Sequence, residues 1–176
     1  MTLEIIGHAI VSAEGTIADA GHRMPAALRN DADWRRFQAA LDASALVVLG
    51  RIGHEAHPNP GRRRLVVTSR VSALAPDPAD PKAMHWNPQG MAFDDVISTL
   101  GMADKSIAIT GGTRVFDLFL DRFTRFDLVE VAGVSIPDGL PCFSSGPPLR
   151  VLAAAGLHPA ETGLLDAEAL LTVWRR

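Results

Sequence analysis

The sequence predicts an α/β protein: a mostly parallel central sheet with helices on both faces, extended by an antiparallel strand pair near the C-terminus. Three observations predict it. Short β-rich runs alternate with stretches of helical spacing over the first two thirds of the chain, as in a parallel sheet built from crossover helices. Residues 3–12 are almost continuously apolar, and residues 45–49 are wholly so, as strands buried on both faces require. The last third is richer in extended runs and turn residues, which adds strands to one side of the sheet.

The elements follow in order. Residues 3–12 form the first strand, and residues 12–18 turn through Gly15 into a short apolar return. Residues 19–31 read as a loop, and one this long inside a compact domain is often functional. Asn30 or Asp31 can cap the next helix, in which Trp34, Phe37, Ala40 and Leu41 recur at helical spacing. Residues 45–49 are the second strand and run into Gly50-Arg51, a strand-to-helix turn carrying a cation. Residues 58–64 form a turn ending in Arg62, Arg63 and Arg64, and the third strand over 65–68 closes on Ser69-Arg70. Pro76, Pro78 and Pro81 predict an irregular segment over 72–82. Residues 84–86 make a short strand, and residues 93–100 a helix ended by Gly101. A strand over 106–110 is broken by Gly111-Gly112; beyond it Val115, Phe116, Leu118, Phe119 and Leu120 form the apolar side of a helix. Residues 126–136 read as a long strand and 137–141 as a turn. Residues 149–157 and 170–174 are expected to pair as the closing antiparallel strands. No linker or repeat divides the chain, so residues 1–176 are expected to form one domain.

Bulk composition narrows the function. The chain is 47% hydrophobic and 21% charged, with 17 basic and 20 acidic residues and a net charge of −3. This balance offers no basic footprint for nucleic acid or an anionic membrane. No run approaches the ~20 apolar residues of a membrane span, and no basic stretch precedes an apolar one at the start, as a signal peptide would need. The single cysteine, Cys142, excludes an internal disulfide framework and fits a reducing compartment; beside Pro141 and Phe143 it reads as a packed residue. A soluble cytoplasmic protein is the expectation. The histidines at 8, 22, 54, 57, 85 and 158 have no metal-binding spacing, since Pro58 ends any helix that His54 and His57 could share, and no metal is expected.

The chemistry-bearing residues gather at strand ends: Gly50-Arg51, Thr68-Ser69-Arg70 and Gly111-Gly112-Thr113-Arg114. Ligands of open α/β sheets bind outside the carboxyl ends of the strands. If these strands are parallel neighbours, their ends converge on one crevice offering guanidinium groups, hydroxyls and backbone N–H groups unobstructed by Cβ atoms. Such groups suit a phosphorylated dinucleotide, because arginine binds phosphate in bidentate fashion and glycine lets the backbone approach it.

The succession Met24-Pro25…Asp31, Val47-Val48-Leu49-Gly50-Arg51, Pro60-Gly61-Arg62, Leu65-Val66-Val67-Thr68-Ser69-Arg70 and Ile109-Thr110-Gly111-Gly112-Thr113-Arg114-Val115-Phe116 resembles dihydrofolate reductase. Ser12-x-Glu14-Gly15-x-Ile17-Ala18 and Val131-Ala132-Gly133-Val134…Asp138-Gly139-Leu140-Pro141-Cys142-Phe143 are similar to the reductase domain of the bacterial riboflavin-biosynthesis deaminase-reductase. The resemblance covers nearly the whole chain in order.

It implies a dihydrofolate reductase-like three-layer α/β/α sandwich and an NADPH-dependent reductase acting on a pterin- or pyrimidine-like ring. A non-catalytic nucleotide-binding relative of the same fold is the alternative. By the resemblance, Gly50, Arg51, Thr68, Ser69 and Arg70 hold the phosphates of NADPH, with Ser69 and Arg70 nearest the 2′-phosphate. Gly111 and Gly112 form a tight peptide, one that could be cis, under the pyrophosphate, with Thr113, Arg114 and Val115 beside it. Ala9, Ile10 and Ile17 line the nicotinamide pocket, covered by a mobile loop over residues 18–25. Asp31 is the acid that binds the substrate ring and helps its protonation. Asp33 competes for that role through its spacing to Phe37, and Asp31 also suits a helix cap. Arg62 matches an arginine that binds the folate carboxylate. Ala26 stands where the family has an aromatic residue and Phe116 where it has tyrosine, so the resemblance does not specify folate. A homodimer is the expected assembly.

Overall fold

A computed structural model describes residues 2–176 of the chain. β1 (Glu4–Val11) is followed by a turn in which Gly15 takes φ +83° and the Ser12 hydroxyl accepts a hydrogen bond from the Thr16 amide at 3.1 Å. After β2 (Thr16–Ala18), Asn30 caps α1 (Asp31–Ala43): its side-chain oxygen accepts from the Asp33 amide at 2.9 Å. β3 (Leu46–Gly50) runs directly into α2 (Arg51–Ala56). Next come β4 (Arg64–Val67), β5 (Leu74–Pro76), β6 (Ala83–Trp86) and α3 (Phe93–Leu100), which stops at Gly101 in the left-handed conformation, φ +67°. β7 (Ser106–Ile109), α4 (Thr113–Phe119), β8 (Arg125–Val131), β9 (Leu140–Pro141), α5 (Pro148–Ala154), β10 (His158–Leu164) and β11 (Ala169–Arg175) complete the order.

The nine-stranded sheet has the order β10-β11-β8-β1-β7-β3-β4-β6-β5. From β8 to β6 all neighbours are parallel, so those strands share one carboxyl rim. The two pairings at the β10 end and the β5–β6 pair are antiparallel. β2 and β9 form a separate two-stranded ribbon.

Alternation along the strands sorts residues between two helical layers. Val47 and Ala108 pack with Leu41 and Phe37 of α1. Leu46, Val48, Ile107 and Ile109 point the other way, into the core completed by α3, α4 and α5. That core is aromatic. Phe93 and Phe119 meet edge to face at 4.8 Å between centroids, and Phe123 and Phe126 at 5.0 Å. A Cβ on Gly7 would lie 2.2 Å from the Phe126 ring, so glycine in β1 is the condition for seating that ring.

The mostly parallel α/β sheet and its closing antiparallel pair are as expected, but several elements differ. Residues 149–157 are not a strand; most of them belong to α5. Pro148, Val151 and Leu152 are buried together at helical spacing, and Pro148 suits the first turn, where its missing N–H costs nothing. The partner of β11 is instead β10, exposed at every position and therefore without an apolar pattern to announce it. Its register shifts between Pro159 and Glu161. The proline-rich 72–82 segment does contain a strand, β5. It is an edge strand and Pro76 is its last residue, where proline is tolerated. The strand expected over 126–136 stops at Val131, before a turn in which Gly133 has φ +70°. Trp34 and Leu118 lie on helical apolar stripes by spacing, yet are 59% and 41% exposed. No helix among the described residues is long and apolar enough to cross a membrane.

Candidate active site

The carboxyl ends of β7, β3 and β4 bring the glycine and arginine turns together. The Gly50 amide donates to the Gly111 carbonyl at 2.9 Å, joining the ends of β3 and β7. The Gly111–Gly112 peptide is cis and Gly111 has φ +93°. A Cβ on Gly111 would stand 2.7 Å from the Phe116 ring, so both conformation and space demand glycine there. The Gly112 carbonyl accepts from the Val115 and Phe116 amides at 2.9 and 3.0 Å, closing the first turn of α4. Val115 is buried beneath Gly50, Arg114 is exposed, and Ile17 of β2 packs 3.8 Å from the Cβ position of Gly112. The Thr113 hydroxyl donates to the Pro141 carbonyl at 2.5 Å, tying the turn to the β2–β9 ribbon.

One strand further out, Arg51 at the start of α2 and Arg70 beyond β4 reach the same carboxylate. Arg51 Nη1 lies 2.8 Å from Glu55 Oε2 and Arg70 Nη1 3.5 Å from Glu55 Oε1. The buried Thr68 hydroxyl accepts from the Arg70 amide at 3.2 Å, and Ser69 is exposed beside it. Glu55 was not singled out by sequence. Its i, i+4 relation to Arg51 was the available signal.

Ala9 and Ile10 stand in the carboxyl half of β1 but face opposite layers. Ala9 joins the aromatic core, whereas Ile10 packs with Met24, Leu28 and Val131 on the α1 side. On that same side lies a group of charges that sequence did not assemble. Asp31 is exposed at the first position of α1, while Asp33 is only 8% exposed and turns inward. Arg36 Nη2 donates to Asp33 Oδ1 at 3.1 Å and Arg36 Nη1 to Asp127 Oδ2 at 2.9 Å. Arg125 grips Asp127 through two bonds, 2.6 and 2.9 Å, and Asp127 is 1% exposed. His8 of β1 is paired in register with Asp127; its Nδ1 lies 3.7 Å from Asp127 Oδ2 and its ring meets Phe37 edge-on.

Electrostatics separates the roles. Burial pushes the Asp33 carboxyl above its ordinary range, and the Arg36 guanidinium pulls the other way. Burial pushes His8 down to about 4, opposed by Asp127 and reinforced by Arg36 and Arg125. The imidazole is neutral at pH 7, so its contact with Asp127 is not an ion pair. Besides the spacing of Asp33 to Phe37, the pattern Arg125-x-Asp127, two charges alternating within an apolar strand, was the sequence signal for this cluster.

Arg62 is engaged by α1, the helix that also carries Asp31 and Asp33. Its Nε and Nη2 donate to Asp42 Oδ1 at 2.9 and 2.6 Å and its Nη2 to Gln38 Oε1 at 2.9 Å, docking it on the last turns of α1. Glu14, from the Ser12-x-Glu14-Gly15 motif, accepts from the Ser135 hydroxyl and the Ile136 amide, holding the β1–β2 turn against residues 135–136. Cys142 is buried and its thiol is pushed well up by desolvation, in keeping with a packed side chain.

No protein-family model and no curated protein matches the sequence. Solved structures do. A protein named for riboflavin biosynthesis from Shewanella sp. PV-4 superposes with a TM-score of 0.70 at 17% identity, covering 98% of each chain. Dihydrofolate reductase from Enterococcus faecalis, complexed with NADP(H) and RAB-propyl, gives 0.67 at 16% identity over 98% of this chain and 96% of that one. The diaminohydroxyphosphoribosylaminopyrimidine deaminase/5-amino-6-(5-phosphoribosylamino)uracil reductase of Thermotoga maritima gives 0.67 at 14% identity; 99% of this chain matches 56% of that longer one. Layer order, the parallel core of the sheet and near-complete coverage agree: the chain has the dihydrofolate reductase-like fold.

Proposed function

We propose that residues 1–176 form one cytoplasmic NADPH-dependent reductase domain that delivers a hydride to a pterin- or pyrimidine-like ring. The observation that carries this reading is the meeting of three separated turns on one rim: Gly50 bonded to Gly111 at 2.9 Å, with Arg51 and Arg70 both on Glu55. The reading is further supported by the fold shared with a dihydrofolate reductase complexed with NADP(H).

In this reading Gly111, Gly112, Thr113, Arg114 and Val115 seat the pyrophosphate. Gly50, Arg51 and Thr68 flank it, and Ser69 and Arg70 take the 2′-phosphate, with Arg70 released from Glu55. Ala9, Ile10 and Ile17 bound the nicotinamide side. The bound cofactor supplies the hydride; the chain orients the two rings and excludes water. The proton falls to Asp33 rather than Asp31, because Asp33 is the buried carboxyl with a raised pKa and Asp31 sits in solvent at the helix start. Asp33 donates directly, or through a water it orients, to the ring atom next to the hydride acceptor carbon.

Fluorescence titration with NADPH, followed by cofactor oxidation assays on dihydrofolate, dihydropterins and ribosylaminopyrimidines, tests the reading. Saturable binding with oxidation on at least one ring substrate is expected. Binding without oxidation on any of them would favour a non-catalytic nucleotide-binding relative, a reading that the engagement of Asp33 by Arg36 favours. Absence of binding rejects both. Sedimentation tests the homodimer that belongs to the same reading.

A further inference from the structure

We propose that His54, Asp77 and His85 form a binding site for a divalent transition-metal ion, zinc above all. The site is independent of the reductase reading. It lies on α2, the helix that also carries Arg51 and Glu55, and joins three separate pieces of chain: α2, the residue following β5, and β6.

His54 Nε2 is 2.8 Å and His85 Nε2 3.2 Å from the same oxygen, Asp77 Oδ2, and the three donor atoms lie within 4.8 Å of one another. Two imidazoles and one carboxylate are the donor set of three-ligand zinc sites that leave a fourth position to water. Tetrahedral bonds of ~2.0–2.1 Å set donors about 3.3 Å apart. The two separations from Asp77 Oδ2 therefore need to open by about half an ångström or less, and the two imidazole nitrogens, within 4.8 Å of one another, close by up to about 1.5 Å. The carboxylate is already oriented, because its other oxygen accepts from the Ala79 amide at 2.8 Å, the kind of supporting bond that fixes a ligand's aim. Asp77 is buried, and both imidazoles are mostly so.

The metal-free arrangement is a hydrogen-bonded one that the ion must replace. Arg64 Nη1 lies 3.2 Å from His54 Nδ1 and can only donate, so the His54 proton sits on Nε2 and points at Asp77. When the ion takes Nε2, that proton is replaced by one on Nδ1, exchanged through solvent. Arg64 then relinquishes the ring and keeps the His57 carbonyl, which it already holds at 2.8 Å. No sequence motif foretells this site, since its ligands are separated by 23 and 8 residues and meet only through the β4–β6 and β5–β6 pairings.

The experiment is a titration of chelator-stripped full-length protein with Zn2+ by calorimetry and with Co2+ by electronic absorption. The expected result is one saturable ion per chain, the intense bands of four-coordinate Co2+, and a raised melting temperature. His85→Gln should weaken binding by more than the ~10–100-fold that loss of a supporting contact costs, while His57→Gln leaves it unchanged. X-ray absorption on the zinc-loaded wild type needs no variant and should report two imidazoles and one carboxylate. Failure to saturate, a shell with fewer than two imidazoles, or wild-type affinity in His85→Gln overturns the proposal.

Discussion

The two faces of the sheet solve opposite problems. Between the sheet and the helices α3, α4 and α5 lie Trp86, Phe93, Phe116, Phe119, Phe123, Phe126 and Phe143, in edge-to-face and tilted contact and fully or almost fully buried. Beneath α1 and α2 the same strands present His8, Arg64, His85 and Asp127, met by Asp33, Arg36, His54 and Asp77. The first face gains from every apolar area it removes from water. The second must offset the desolvation of each charge with a partner, and Asp127 does so by accepting from both Arg36 and Arg125. One face carries the stability of the fold, and the other holds the groups that can do chemistry.

The largest effect that would sharpen this contrast is on the aromatic face. Phe119→Ala should cost about 3–5 kcal/mol, read as a lowered denaturant midpoint, because the ring is fully buried among Trp86 and Phe93. On the charged face, Asp33→Asn should lower kcat by about 10²–10⁴-fold while NADPH affinity holds, and Asp31→Asn should leave both unchanged. Loss of activity in the Asp31 variant alone would return the acid to the helix start.

His8 supplies a pH test of the same face. Its pKa falls from 6.5 to about 4 on folding, so the unfolded chain takes up the proton first. The stability it contributes is present above pH 6.5 and is lost as pH falls toward 4, by up to about 3 kcal/mol. His8→Leu should flatten the profile in that window, and an unchanged slope would refute the assignment. The smallest effect is at the rim. Glu55→Gln removes the carboxylate that competes with phosphate for Arg51 and Arg70, and should tighten NADPH by about two- to fivefold and NADH by less, since NADH shares only the phosphates beside Arg51. Fluorescence titration of both nucleotides measures it.

The same contrast explains what could be read from sequence. β1, β3 and β7 were legible because strands covered on both sides are mostly apolar, and Gly101 and Gly111-Gly112 mark breaks by backbone chemistry alone. Residues 149–157 were misread because a short apolar run suits strand and helix alike. The rim residues were legible because they sit at strand ends, where the fold class itself predicts a ligand. The charged face was not. Asp33 was in view through its spacing to Phe37, but its partners were not: His8 meets Asp127 through strand register, a closeness in space that no spacing along the chain encodes.

The outermost strand, β10, has its own consequence for the molecule's behaviour in concentrated solution. A long sheet ending in a free ladder of amides and carbonyls invites another sheet to dock on it. Here Pro159 withholds an amide, the register slip beside it bends the ladder, and Glu161 adds a charge. The sheet thus carries its own terminator against edge-to-edge aggregation.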